Sequence, residues 1–234
     1  MKKIGLIGGI GPESSIEYYR LIIKRFQEKL NTKDYPELMI NSINMTQMLD
    51  YVFNNKLDKL VDFLMERIND LEKIGVDYIA IASNTPHIVF DKLAEKSNTP
   101  LVSIVEVTCK EVQDKKIQRV ALFGTKSTMT NGFYNDVAQK YGINIVLPDD
   151  EKQDYIHNKY MTELVFNKIV PETKEQLIQI IRELKEEESI EGLILGGTEL
   201  PLILKQSDFD DIKIFNTTEI HVESIVAKII DNYL

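Results

Sequence analysis

Short runs of β-forming apolar residues alternate with long amphipathic stretches along this chain, and that alternation restricts the fold more than any other feature. The runs cover Lys3–Gly8, Leu38–Ser42, Tyr78–Ala82, Pro100–Ser103, Arg119–Phe123, Ile143–Val146, Gly192–Leu195 and Ile212–Phe215. Helical periodicity of about 3.6 residues fills Ser14–Leu30, Leu57–Ile74, Val105–Val112, Ser127–Tyr141, Thr173–Glu187 and Thr217–Asn232. Strands this short, separated by helices this long, pair in parallel through right-handed crossovers. The expected class is therefore α/β, with parallel sheets built from βαβ units.

The pattern also repeats itself. Ile4-Gly5-Leu6-Ile7-Gly8 is echoed by Val120-Ala121-Leu122-Phe123-Gly124, and the turn after Ala82 by the turn after Leu195. Gly8 and Gly124 lie 116 positions apart, Ser83 and Gly197 114 apart. Two pseudo-symmetric half-chains of one design are expected, with the strand-end loops of both meeting at a shared cleft. Ligands of open parallel sheets bind at such strand ends.

Composition limits the function classes. A chain of 234 residues buries a sizeable core, as one domain or two small ones. A net charge of −9 argues against nucleic acid as a partner, because such surfaces carry basic stripes. No stretch approaches the roughly 18 unbroken apolar residues of a membrane span. Lys2-Lys3 followed by Ile4–Ile10 imitates a signal peptide only faintly, being interrupted by glycine and lacking a cleavage site. A cytoplasmic location is expected, which the single Cys109 suits, since it has no internal disulfide partner. Cys109 itself reads as a small buried thiol on a helix face.

Three motifs sit at the predicted strand ends: Gly8-Gly9-Ile10-Gly11-Pro12-Glu13-Ser14, Ser83-Asn84-Thr85-Pro86-His87 and Gly196-Gly197-Thr198-Glu199. In order and spacing they resemble the aspartate/glutamate racemase family, whose usual pattern is Gly-Gly-x-Gly-Pro-Glu-Ser, then Cys-Asn-Thr-x-His, then Gly-Cys-Thr-Glu. The resemblance covers essentially the whole chain. It implies a PLP-independent amino-acid racemase without cofactor or metal, built from two Rossmann-like domains with the site between them. It also implies that the last helix returns to the first domain, so the domains become 1–103 with 216–234, and 104–215. Family members are commonly homodimers.

Racemisation without a cofactor removes a weakly acidic Cα proton and returns one from the opposite face. Two opposed thiols do this well, because their pKa near 8.5 is tuned easily toward neutrality. Here Ser83 and Gly197 stand at the two cysteine positions, which excludes a two-thiol mechanism. A serine hydroxyl needs a neighbour to accept its proton; His87 is the candidate, if helical geometry begins early enough to bring it onto the face of Ser83. Gly197 has no side chain to offer, leaving Glu199 and His221 as candidates for the other face. In Asn216-Thr217-Thr218-Glu219-Ile220-His221 the family usually has aspartate where this chain has Asn216.

The resemblance assigns the grip on an α-carboxylate to Asn84, Thr85 and Thr198 with backbone N–H groups at helix starts, a sound arrangement for an anion. Gly8 and Gly9 would let backbone approach the ligand. Thr125 and Lys126 form a similar loop in the second half. The aspartate-preferring members carry an arginine in the loop after the second strand; the equivalent Asn41–Asp50 has no basic residue, and Asn44 and Gln47 are its hydrogen-bonding groups. A second basic position of the family falls at Phe166.

Other readings fare worse. The first glycine motif lacks the third glycine of a dinucleotide site and the following acid. Scattered His87, His157 and His221 do not form a zinc site, and Gly-x-Ser-x-Gly is absent. Three hypotheses remain: a racemase with substituted acid/base groups, a lyase-type relative, and a non-catalytic binder of an amino-acid-like carboxylate.

Overall fold

The computed structural model describes residues 1–231. They divide into two compact units, Met1–Ile104 with the chain from Thr218 onward, and Val105–Thr217.

In the first unit β1 (Ile4–Gly8), α1 (Pro12–Leu30), β2 (Leu38–Ser42), α2 (Met45–Phe53), α3 (Leu57–Ile74), β3 (Tyr78–Ile81), α4 (Phe90–Lys96) and β4 (Leu101–Val102) follow in order. The strands pair in parallel as β2-β1-β3-β4. The α3 sequence buries Leu60, Val61, Leu64, Ile68 and Leu71, a helical stripe that lies in one core with Ile7 of β1 and Ile79 and Ile81 of β3. Gly75, at φ 81°, ends that helix in the left-handed conformation.

The second unit runs α5 (Ile104–Asp114), β5 (Arg119–Phe123), α6 (Lys126–Thr130), α7 (Phe133–Lys140), β6 (Asn144–Val146), α8 (Asp150–Thr162), α9 (Pro171–Glu188), β7 (Gly192–Leu195), α10 (Leu200–Ile203) and β8 (Lys213–Asn216). Its sheet is also parallel, in the order β6-β5-β7-β8. Phe123, Leu193 and Leu195 share a core with Ile156 and Tyr160 of α8 and Leu177, Ile181 and Leu184 of α9. α11 (Thr217–Ile230) then leaves β8 and belongs to the first unit, where the Lys2 backbone N–H donates to the Ile229 carbonyl at 3.1 Å. The helix predicted to reach Asn232 has its last residue outside the described residues.

The two sheets therefore share one design, order 2-1-3-4 in each. Three local expectations are corrected. The helix expected over Ser127–Tyr141 is two helices, because Gly132 at φ 79° breaks it after Asn131. The Asn41–Asp50 stretch, read as a loop, enters α2 at Met45, capped by the Asn44 side chain, which accepts from the Gln47 N–H at 3.2 Å. The last strand lies one residue later than expected, at Lys213–Asn216.

Among the described residues no helix is long and apolar enough to cross a membrane.

Candidate functional site

In the order 2-1-3-4 the crossovers diverge between the first and third strands, and the carboxyl ends of those two strands flank the switch point where such sheets bind ligands. In the first unit those ends are Gly8-Gly9 after β1 and Ser83-Asn84 after β3. In the second they are Gly124-Thr125 after β5 and Gly196–Glu199 after β7. The motifs singled out in the sequence thus occupy equivalent places in both units.

The glycine turn of the first unit is packed against protein. A Cβ on Gly9, at φ +79°, would stand 2.5 Å from the Ile43 carbonyl oxygen, and one on Gly8 2.6 Å from Ser15 Oγ. The Gly9 N–H donates to Ser15 Oγ at 2.8 Å and the Ile43 N–H to the Gly8 carbonyl at 2.9 Å. The glycines let the turn after β1 pack closely on Ser42 and Ile43, just before α2, and on Ser15 of α1. Asn44 and Gln47 are exposed; Gln47 Nε2 donates to the Tyr51 hydroxyl at 2.9 Å.

After β3 the chain turns at once into a 3-10 helix over Thr85–Val89. Ser83, Asn84, Thr85 and His87 are all buried. Helical geometry does begin early, yet His87 does not pair with Ser83. Its Nε2 accepts the Ile104 N–H at 3.2 Å, its ring stacks on Phe90 with centroids 5.0 Å apart, and Nδ1 faces the backbone of Ser83 and Asn84 without a hydrogen bond. Burial, then the neighbouring His221, pushes its pKa down to about 3. A neutral ring so placed packs beside the Ser83-Asn84 turn and is a weak base.

His221 is fully buried in α11. Its Nε2 lies 2.9 Å from the Val102 carbonyl and its Nδ1 2.9 Å from the Tyr18 hydroxyl. The carbonyl can only accept, so the proton sits on Nε2 and Nδ1 accepts from Tyr18. Both nitrogens are occupied, and burial lowers the pKa to about 4. Tyr18 and a backbone carbonyl orient this ring.

In the second unit, Thr125 caps α6 by accepting the Thr128 N–H at 3.1 Å. Lys126 is paired with Asp154 of α8, and its backbone N–H donates to His157 Nδ1 at 3.2 Å. Beyond β7, Thr198 Oγ1 donates to Glu199 Oε2 at 2.8 Å, and the same oxygen accepts the Tyr160 hydroxyl of α8. Glu199 is 3% exposed and Tyr160 6%. Burial first, then the Glu199 charge, raises the Tyr160 pKa and keeps its phenol protonated.

Gly197 lies against that ring. A Cβ there would stand 2.9 Å from Tyr160 Cζ and 3.1 Å from its hydroxyl oxygen. Tyr160 carries no motif, and nothing in the sequence marks it; only the fold puts it beside position 197. The helices that open at the other three loops are short, five residues in α6, four in α10 and five in the 3-10 turn. Their dipoles are correspondingly small, so any grip on an anion rests on local N–H and hydroxyl groups. Phe166 lies in a 3-10 turn at Leu164–Phe166 and is 74% exposed. Among the described residues no cluster of metal-ligating side chains occurs.

The Asp/Glu/Hydantoin racemase profile matches residues 7–225. The chain belongs to the Asp/Glu/hydantoin racemase family. Among solved structures, an aspartate racemase homologue from Pyrococcus horikoshii OT3 superposes with TM-score 0.85 at 37% identity, over 98% of this chain and 99% of that one. Picrophilus torridus aspartate racemase superposes with TM-score 0.76 at 22% identity, over 99% and 94%, a likeness of fold. In sequence, the broad specificity amino-acid racemase RacX of Bacillus subtilis is 29% identical over 153 residues, 64% of this chain and 66% of that protein.

Proposed function

We propose that this protein moves the Cα proton of a free amino acid as a racemase-type isomerase, without thiols and without a cofactor. The observation that carries the reading is the placement of the family's motifs. Each of the two matching sheets has its motif loop at the carboxyl end of its third strand, beside the switch point. Asn84 and Thr85 in the first unit and Thr198 in the second, each with the backbone N–H groups beside it, are the carboxylate-binding groups of their own loops; Gly8 and Gly9 shape the first unit's other turn and Thr125 and Lys126 its counterpart.

Ser83 takes the first acid/base position, and His87 is its positioning residue. Glu199 is the candidate at the second position, because His221 has neither nitrogen open. The absence of a basic residue from Asn41–Asp50 leaves a side-chain carboxylate without a partner there. Uncharged side chains therefore suit the site better than aspartate, in keeping with the Bacillus subtilis relative's being a broad specificity amino-acid racemase.

The test is chiral chromatography of single enantiomers of neutral, acidic and basic amino acids incubated with the protein. Conversion of either enantiomer toward the racemic mixture supports the reading. A new product of lower mass points instead to a lyase. Binding without turnover is the second reading, favoured by the loss of both thiols; it predicts that amino acids raise the melting temperature and are recovered unchanged.

A further inference from the structure

The loop after β7 has lost its family side chain at Gly197, and the space has not been left open. Tyr160 reaches it from α8, placing Cζ and the hydroxyl oxygen 2.9 and 3.1 Å from where a Cβ at 197 would stand. The ring and a side chain at 197 exclude each other, so glycine and tyrosine are a matched pair. The phenol is tethered as well as packed: it donates to Glu199 Oε2, two residues past Gly197, and Thr198 Oγ1 donates to the same oxygen at 2.8 Å. A buried phenol and a buried carboxylate thus share one hydrogen bond beside the vacant thiol position.

We propose that Tyr160 and Glu199 are the proton-carrying pair of the second unit, the phenol standing in for the side chain that Gly197 lacks. The inference rests on the racemase-type reading above. In the step it assigns, the Cα–H bond breaks and its electron pair stays on carbon, delocalised into the bound carboxylate as an enolate. The Cα proton bonds to the Tyr160 oxygen while the phenol proton passes to Glu199 Oε2. The pair ends one proton richer and the substrate one poorer, and the reverse flow returns a proton to Cα. Glu199 is the final acceptor, and the phenol carries the proton at the position a thiol would have held. A relay through one hydrogen bond avoids building a lone phenolate in a buried place.

The test compares Tyr160→Phe and Glu199→Gln with the native chain by Cα deuterium incorporation in D₂O. Tyr160→Phe keeps the ring against Gly197 and removes one oxygen, so a packing role survives it. The expected result is exchange slowed on the order of a hundred-fold or more in each variant. The double variant should be no slower than either single one, as for groups acting as a unit. The amino-acid-induced rise in melting temperature should persist in Tyr160→Phe. Exchange at the native rate in Tyr160→Phe overturns the inference alone, as does a loss of exchange that merely follows a loss of ligand-induced stabilisation. A native chain that exchanges no amino acid overturns the functional reading and this pair with it.

Discussion

At the scale of single residues, the proposed chemistry turns on Ser83 and Gly197, which stand where the family pattern has cysteine. Ser83 has a hydroxyl where a thiolate is wanted, and its nearest imidazole is turned away toward Ile104. Ser83→Cys should therefore accelerate Cα exchange, since a thiol ionises near pH 8.5 and a hydroxyl does not in water. Ser83→Ala should slow it, as an exchange assay on the two variants will show. The native thiol offers no substitute: burial first, then Glu106, pushes the Cys109 pKa up to about 12. It should stay inert to a disulfide reagent at pH 8 until the protein is unfolded.

Backbone geometry sets another residue-scale limit. Gly9→Ala places a Cβ in the left-handed region and against the Ile43 carbonyl. It should destabilise the first unit by more than about 1 kcal/mol, read from urea unfolding. Tyr18→Phe strands the buried Nδ1 of His221, a loss of about 1–3 kcal/mol by the same measurement.

Elements are where sequence and structure can be compared most closely. β5, β7 and α3 have the bounds their apolar periodicity predicts, because each buries a run or stripe of residues, and β2 keeps its predicted bounds although it is only partly covered. α2 escaped because it buries only Met48 and Val52, and its start is set by the Asn44 cap rather than by a long stripe. The three glycine and strand-end motifs were legible as turns at the carboxyl ends of strands. Tyr160 was not legible, because its contact with Gly197 joins α8 to a loop 37 positions away that no local pattern encodes. His221 carried a family signal, yet its role as a strut between α11, α1 and β4 depends on tertiary partners.

Two buried neutral imidazoles tie elements of the first unit together, and they give it a pH dependence. In the unfolded chain each titrates near 6.5; in the fold burial lowers His87 to about 3 and His221 to about 4. Above pH 6.5 neither state holds the proton, and the stabilisation is complete. As pH falls below 6.5 only the unfolded state takes up protons, and each histidine removes about 1.4 kcal/mol per pH unit until its folded value is reached. Urea midpoints, followed by amide exchange in β1 and β3 peptides, should fall steadily from pH 6.5 to 4. A flat profile would show that these rings are not held neutral.

On the scale of the whole molecule, one parallel design occurs twice, and the chain crosses back once. α11 belongs to the first unit, where Val222, Ile225, Val226 and Ile229 are buried and Glu223 pairs with Arg25 at 2.9 Å and Lys29 at 2.8 Å. A chain ending at Thr217 should lose the amide protection of β1–β4, and that of β5–β8 should decline less. The repetition explains why family membership and fold could be read from the sequence although both thiols are gone. Strand order and strand-end turns follow from apolar periodicity and glycine placement, which persist when a catalytic side chain is exchanged. The proposed activity depends on a few atoms at those ends, which periodicity does not record.

The most direct test of the account is Cα deuterium incorporation by the native chain in D₂O, followed by proton NMR over the L- and D-amino acids. The account predicts exchange in at least one amino acid with an uncharged side chain, in both enantiomers. No exchange by the native chain, with exchange appearing in a Ser83→Cys/Gly197→Cys/Tyr160→Ala variant, would contradict it: the carboxylate grip would be intact and the proton chemistry lost.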